Sequence, residues 1–465
     1  MNAARAPYKN LTTRVSRVLF QSPARISIIG FATVISIGAT LLMLPSATST
    51  HRLGFVDALF TSTSATCVTG LVVVDTGNAL SPFGQLVVLA LIQAGGLGIM
   101  TISTLLLLMA GRRPSLAGQI VIKDTFTQSG QRSVTSVLRD ILLFTFAIEG
   151  IGTALMFFRF FPRENVIEAF YISAFHSISS FCNAGFSLFS DSFIAYQGDW
   201  FLNIVMCLLI VSGGIGFLVF SELKQQFPLN RRSWSRLSLH SKLVLSTTAI
   251  LLLFSSFLII TMEWHNTLAS LSIPDRFLAG FFQSVTARTA GFNTLSMGNM
   301  ANETLFVLIL LMFIGASPGS CGGGIKTTTL ACLAILGVSR LRGLENPQLF
   351  HRTISSESVG KAISVVMVSV VVVIIATMAL LMTELGEIAH PMSRGKFLEL
   401  FFEVVSAFGT VGLSIGVTGG LSIAGKLIIT FVMFVGRIGP LVIAIAVSRR
   451  GPPRYYYADE PIMIG

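Results

Sequence analysis

Ser284-Val285-Thr286-Ala287-Arg288-Thr289-Ala290-Gly291-Phe292-Asn293-Thr294 is too polar and too glycine-dependent for a lipid-facing helix, yet it sits in a chain of membrane composition. Three other stretches repeat it: Ser64-Ala65-Thr66-Cys67-Val68-Thr69-Gly70-Leu71, Ser179-Ser180-Phe181-Cys182-Asn183-Ala184-Gly185-Phe186 and Ser406-Ala407-Phe408-Gly409-Thr410-Val411-Gly412-Leu413. Each runs through small or polar residues to a glycine and then a large apolar residue. Gly70, Gly185, Gly291 and Gly412 are 115, 106 and 121 residues apart. Four near-equal copies of one loop suggest a ring, and the rest of the chain reads as what builds it.

The composition sets the solvent. Hydrophobic residues make up 52% of the 465 and charged residues 11%, where a soluble domain carries roughly 25% charged residues. Strand-type alternation is missing, so the spans are predicted helical rather than a barrel. Five cysteines without a C-x-x-C pair form no disulfide framework, and six scattered histidines outline no metal site. The net charge of +11 falls in alternate loops between apolar segments, which is the mark of membrane topology and excludes a nucleic-acid face.

Each glycine loop belongs to the same unit: apolar span, short helix, glycine loop, apolar span. The first runs through Ile26–Leu44, Phe55–Thr66, Gly70 and Phe83–Ala110; the second through Ile141–Phe161, Val166–Ser180, Gly185 and Trp200–Phe220. The third has Leu243–Met262, Phe277–Ala287, Gly291 and Leu305–Gly337; the fourth has Ala362–Met382, Phe397–Phe408, Gly412 and Ala424–Val447. Ile26–Leu44 is long for a cleaved signal, and its loss would break the repeat. The expected fold is an all-α membrane protein of four parallel helix–pore-loop–helix repeats. Its eight spans are expected in a pseudo-fourfold arrangement around one central pore. The segments are 1–25 (cytoplasmic), 26–110, 134–223, 240–339 and 360–448 (repeats) and 449–465 (cytoplasmic tail). The ends and the loops between units hold 22 of the 32 basic residues. That bias places both termini in the cytoplasm and the glycine loops facing out of the cell.

Irregular backbone at membrane depth is tolerated where it is buried in protein or lines water. A ring of four such loops would offer main-chain carbonyls to a cation in place of its hydration shell. Glycine admits the backbone angles and the crowding this needs, and short helices pointing their C-terminal ends inward favour a cation. Thr66, Thr69, Asn183, Thr289 and Thr410 are candidates to add oxygen atoms beside Gly70, Gly185, Gly291 and Gly412. Cys67 and Cys182 share one position of the motif and read as small packing residues. Taken alone, any one of the loops reads equally well as close helix packing through small residues.

The third unit departs from the others. Leu305–Gly337 would be about 50 Å of helix, longer than a bilayer core, and its middle reads Gly315-Ala316-Ser317-Pro318-Gly319-Ser320-Cys321-Gly322-Gly323-Gly324-Ile325-Lys326-Thr327. Proline and clustered glycine cannot continue a helix. A phosphate loop would need glycine directly before the lysine and a strand ahead of it, and Ile325 stands there instead. The candidate gate under the ring is therefore Gly315, Ser317, Pro318, Gly319, Gly322, Gly323, Gly324 and Lys326. Arg437, in Gly436-Arg437-Ile438-Gly439-Pro440, is the other cation at membrane depth. About 10 Å from a permeating potassium ion, at an effective dielectric near 20, it would add a barrier of about 1.7 kcal/mol. The alternative is an arginine that snorkels or pairs with a carboxylate, Glu149 being the candidate mate.

These motifs, in order, spacing and residue type, resemble the Trk/Ktr/HKT superfamily over residues 20–450. They are the four loops, Gly323–Thr329 (G-G-I-K-T-T-T) and Gly436–Pro440. The resemblance implies potassium uptake, sodium-stimulated in many Ktr systems, with Gly70, Gly185, Gly291 and Gly412 as filter glycines. It implies an intramembrane gate loop at Gly315–Lys326 and a pore-facing Arg437. It further implies a homodimer seated on a cytoplasmic KtrA-like nucleotide-binding regulatory ring, the nucleotide belonging to that partner, with segments 111–140 and 221–242 as candidate contacts. Cys182, where relatives often carry asparagine, and Ala316 and Cys321–Gly322 in the gate loop depart from the pattern. The expected function is potassium transport in the cell membrane with no covalent cofactor. A symporter coupled to sodium or protons is the alternative. An enzyme is not expected, since no Ser/His or Cys/His pair stands on facing spans and His176 lies alone on a pore helix.

Overall fold

The computed structural model describes residues 23–49, 51–98, 134–226, 231–344, 346–386 and 388–439. The N-terminal segment 1–22, the runs 99–110 and 111–133 and the tail from 440 lie outside the described residues.

Fifteen helices are described. The first repeat holds α1 (Pro23–Leu42), α2 (Phe55–Thr66) and α3 (Pro82–Leu97). The second holds α4 (Val134–Phe160), α5 (Val166–Phe181), α6 (Trp200–Ile215) and α7 (Phe217–Gln225), followed by a short α8 (Arg231–Arg236). The third has α9 (Leu239–Glu263), α10 (Ile273–Thr286), α11 (Asn302–Phe313) and α12 (Thr327–Leu341). The fourth has α13 (Ser356–Glu384), α14 (Lys396–Gly409) and α15 (Ile423–Ile438). A two-residue hairpin, β1 (Gln348–Leu349) with β2 (Arg352–Thr353), turns through Phe350 and His351, both at positive φ.

The short helices are inside out. On α2, Thr61, Ser62, Thr63, Ser64 and Thr66 are all buried. Outer helices supply carbonyls to some of the buried hydroxyls of the short helices: Ser62 of α2 donates to Ile35 O at 2.7 Å and Ser177 of α5 to Glu149 O at 2.7 Å. The outermost helices instead expose large apolar side chains, including Leu143, Phe146 and Phe158 on α4, Leu253 and Phe257 on α9, and Met367, Ile375 and Met382 on α13. Apolar outside and polar inside is what a bilayer solvent demands.

The packing closes on itself. The short helix of each repeat packs against that repeat's first helix, α2 on α1, α5 on α4, α10 on α9 and α14 on α13. The helix after each loop packs against the next repeat's short helix: α3 on α5, α6 on α10, α11 on α14 and finally α15 on α2.

Eight spans were expected, the last of the third repeat broken at its glycine-rich middle and the others continuous, and the described residues form only part of this. Leu138–Phe160, Leu239–Glu263 and Ser356–Glu384 are long and apolar enough to cross a bilayer. Trp200–Phe220, read as one span, is two helices meeting at 95°. The other three repeats break at the same place: α3 ends at Gly98, α11 at Ile314 and α15 at Gly439. The cause is local. Gly98, Gly216 and Gly439 have φ of 81°, 94° and 94°, angles that end a helix.

Candidate functional site

Each short helix ends in the same way. The residue two before the loop glycine is in the left-handed region in all four repeats: Val68 (φ 57°), Asn183 (59°), Thr289 (68°) and Thr410 (51°). In three of them the following N–H reaches back five residues, Thr69 to Ser64 O at 2.8 Å, Ala184 to Ser179 O at 2.8 Å and Val411 to Ser406 O at 2.9 Å. This is a Schellman ending with a non-glycine residue at the left-handed position. The loop glycines then adopt φ of 91°, 71°, 77° and 92°, so each loop needs glycine where the motif has it. Gly70 N and Gly412 N are held by Ser64 Oγ and Ser406 Oγ, both at 3.1 Å.

The four glycines lie against one another in cyclic order. A Cβ on Gly70 would lie 2.5 Å from Ala184 O, and one on Gly185 would lie 2.8 Å from Ala290 O. A Cβ on Gly291 would strike Val411 O, and one on Gly412 would strike Thr69 O, closing the circle. One cavity of about 380 Å³ is lined by all four, with Asp75, Asp191 and Thr418 around it. The backbone register puts Val68 at the position of Asn183, Thr289 and Thr410, with Thr69 one residue nearer the glycine. Thr66 and Thr69 are buried with hydroxyls that have no partner.

The glycine-rich segment of the third repeat lies on the other side of this ring. Its stem is closed by Gly315 N donating to Ile325 O at 2.8 Å. From there its N–H groups go to other repeats: Ser317 to Gly214 O at 3.1 Å, Cys321 to Gly213 O at 3.2 Å, Gly324 to Gly436 O at 3.3 Å, and Gly323 to Thr410 Oγ1 at 2.9 Å. Gly213, Gly214 and Gly436 stand where α6 and α15 end, and helix ends leave carbonyls unpaired. The segment caps them, and a side chain on Gly322 or Gly323 would collide with Thr289 or Thr410.

Two cations fasten the segment. Lys326 Nζ donates to Gly322 O at 2.6 Å. Arg437 donates to Cys321 O through one guanidinium nitrogen and to Gly95 O through the other. The candidate mate Glu149 is occupied elsewhere: its carboxylate accepts from Gln93 Nε2 at 3.1 and 3.2 Å. Two carbonyls freed by broken helix and loop are a better geometric match for the forked guanidinium. A second cavity of about 310 Å³ reaches these groups, with Gly96, Cys182, Cys321, Lys326 and Arg437 on its wall.

Sequence reasoning missed a second fourfold motif. Gly95-Gly96-Leu97-Gly98, Gly213-Gly214-Ile215-Gly216 and Gly436-Arg437-Ile438-Gly439 are copies of one helix ending, and Gly315-Ala316-Ser317-Pro318 is the fourth. In the first three, a Cβ on the leading glycine would hit the carbonyl four residues before the loop glycine, Thr66 O, Phe181 O and Phe408 O. The spacing was the available signal, and Arg437 stands where the other copies carry Gly96, Gly214 and Ala316.

His176 is not alone. Its Nδ1 lies 2.9 Å from Ile172 O, and its Nε2 lies 3.1 Å from Ser187 Oγ and 3.2 Å from Leu188 N. Outside the spans, Asp75 is partly buried, which raises its pKa. Hydrogen bonds from Ser190, Asn78 and Gly77 outweigh that and hold it below the ordinary carboxylate value.

A helical membrane architecture with broken helices gathered around a glycine ring defines a transport protein, and the chain belongs to the TrkH family of cation transport proteins, whose model matches residues 9–453. It is 39% identical to Ktr system potassium uptake protein B of Bacillus subtilis over 446 residues, covering 96% of this chain and 97% of that protein. It is 36% identical to the potassium/sodium uptake protein NtpJ of Enterococcus hirae, again over 96% and 97%. The crystal structure of the potassium transporter TrkH from Vibrio parahaemolyticus superposes with a TM-score of 0.71 at 18% identity, over 92% of this chain and 86% of that one, so it shares the fold.

Proposed function

We propose that this protein carries potassium ions across the cell membrane through the ring of loops around Gly70, Gly185, Gly291 and Gly412, whose main-chain oxygens replace the water the ion sheds. The observation that carries this reading is cyclic contact: each glycine meets the carbonyl that precedes the next one, and the fourth meets the first. The circular packing of helices α3, α6, α11 and α15 on the short helices supports a pseudo-fourfold arrangement of the repeats about that ring. The helix C-terminal ends converge there, which favours a cation.

Gly315–Lys326, with Arg437, acts as a gate beneath the ring, since it draws its hydrogen bonds from the second and fourth repeats. The names of the relatives support potassium as cargo, and that of NtpJ brings in sodium, as a stimulating or a co-transported ion. The word "system" in the name of the Bacillus protein supports a second component. Here that is a nucleotide-binding ring meeting the basic segments 111–140 and 221–242, beneath a homodimer with its termini in the cytoplasm. The test is potassium and sodium flux through the purified protein in liposomes. Potassium flux exceeding sodium flux in the unmodified chain, and equalised in Gly412→Ser, is expected; equal flux of both ions in the unmodified chain would refute the reading. Flux well above a carrier's turnover separates a pore from a symporter.

A further inference from the structure

Nine residues before each loop glycine stand Thr61, His176, Phe282 and Glu403, and two residues after it stand Val72, Ser187, Asn293 and Ser414. In the second and fourth repeats these two positions are tied together. His176 is fully buried, and with Nδ1 facing the Ile172 carbonyl it must donate there. Its Nε2 is then an acceptor, filled by Ser187 Oγ–H and Leu188 N–H. The ring is clamped between Phe189, stacked at 4.9 Å, and the edge of Phe193, also at 4.9 Å. In the fourth repeat Glu403 is fully buried. Its Oε1 accepts from the Thr418 hydroxyl, which lies 3.0 Å from Ser414 Oγ. Ser414 Oγ in turn accepts from Gly416 N at 3.0 Å. Glu403 Oε2 has no partner and is sealed from solvent, so the network through Oε1 is the polar contact this side chain makes.

The other two repeats lack the tie. Thr61 has a buried hydroxyl with no partner, and Phe282 has no polar atom. Asn293 is held instead from the second repeat, by Ser192 Oγ on its N–H at 3.1 Å and by Phe193 N on its carbonyl at 2.8 Å. Near the glycine every short helix holds its own loop, through Ser64, Ser179, Thr286 and Ser406; the further tie to the outer limb is made only in the second and fourth repeats.

We propose that His176 and Glu403 are positioning residues for ion selectivity, bracing the outer limbs of the second and fourth loops through Ser187 and the Ser414–Thr418 pair so that these two loops keep their separation. This rests on the ring being the ion filter. A filter discriminates between cations only if its oxygens resist closing on the smaller one, and a buried hydrogen-bonded tie at the back of the loop supplies that resistance.

The test is the potassium-to-sodium flux ratio of the full chain in liposomes. Glu403→Ala, Ser414→Ala, His176→Ala and Ser187→Ala should each lower the ratio by about fivefold, the scale of one lost buried hydrogen bond. Glu403→Ala with Ser414→Ala should be no worse than either alone. Glu403→Gln, which keeps an acceptor for Thr418, should stay within about twofold of the unmodified protein, as should Thr61→Ala. If Glu403→Ala does not fold, Ser414→Ala and Ser187→Ala remove one half-buried hydroxyl each and carry the test. An unchanged ratio in these variants, or a fall in total flux with the ratio intact, would overturn the proposal. So would an equal effect of Thr61→Ala. Gly412→Ser separates the two layers: if it equalises the ions while the serine variants do not, the brace is wrong and the filter stands. If it changes nothing, the filter reading itself fails.

Discussion

The four loops and the four helix endings beneath them are both repeated motifs, but they have diverged to different degrees. At the loops every copy keeps a left-handed residue two before the glycine and the glycine itself at positive φ. At the endings three copies keep the glycine bend, while the third has become the long segment Gly315–Lys326, and the fourth has exchanged a small residue for Arg437. On the function proposed above, with the ring as ion site and the segment as gate, the contrast separates two physical demands. A site that holds a spherical ion from all sides wants equal contributions from each quarter. A device that opens and closes needs only one quarter to move and the others to receive it. The received contacts are visible: Gly213, Gly214 and Gly436 give their carbonyls to the odd segment, and Gly95 gives its own to Arg437.

The symmetric half should be the less forgiving. Gly412→Ser or Gly291→Ser puts a Cβ into the neighbouring loop's carbonyl at a backbone angle side chains rarely adopt. Potassium-over-sodium selectivity is expected to fall tenfold or more, equivalent to about 1.4 kcal/mol, measured by ion uptake in transport-deficient cells. Unchanged uptake of both ions would erase the distinction between the two motifs. Excising Ser317–Gly324 tests the asymmetric half. Ile314 and Ile325 pair in parallel, so joining Ala316 to Ile325 remakes that turn; in protein that still folds, flux should rise several-fold. Equal or lower flux in correctly folded protein would remove the gate from the comparison.

Arg437→Ala is expected to raise flux by less than the excision, about two- to threefold. It deletes two charge-assisted hydrogen bonds worth roughly 1.5–3 kcal/mol each and leaves the segment's main-chain bonds in place. The smallest effect belongs to the outer mouth. Asp75→Asn should slow uptake by less than about twofold, and only at low ionic strength, as expected of a steering charge. Because the folded protein holds the Asp75 pKa below its unfolded value, its contribution to stability is complete above the ordinary carboxylate range. It is lost as the pH falls through the depressed folded value. A urea-midpoint difference between Asp75→Asn and the unmodified protein should therefore shrink on acidification below about pH 4.

Much of the fold was legible because membrane helices announce themselves through composition, and because a loop that must be glycine repeats its glycine. Gly70, Gly185, Gly291 and Gly412 were read as partners from spacing alone, and the structure sets them in contact. The helix breaks at Gly98, Gly216 and Gly439 were not read. Hydropathy continues through Trp200–Phe220 without a mark, and a glycine inside an apolar run signals packing as readily as a bend. The mate of Arg437 was sought among carboxylates, since charge pairing is visible in a sequence and a carbonyl freed by a helix end is not.

By itself the sequence determined the solvent, the recurrence of the glycine loop and the residues that have no side chain, because these depend on residue type and order along the chain. Only the tertiary structure decided which neighbour each loop meets, where the glycine-rich segment rests and what Arg437, His176 and Glu403 hold. Those contacts join residues far apart in the chain, 342 positions for Gly95 and Arg437, and main-chain carbonyls, alike in every residue, carry no mark in the sequence of which donor will reach them.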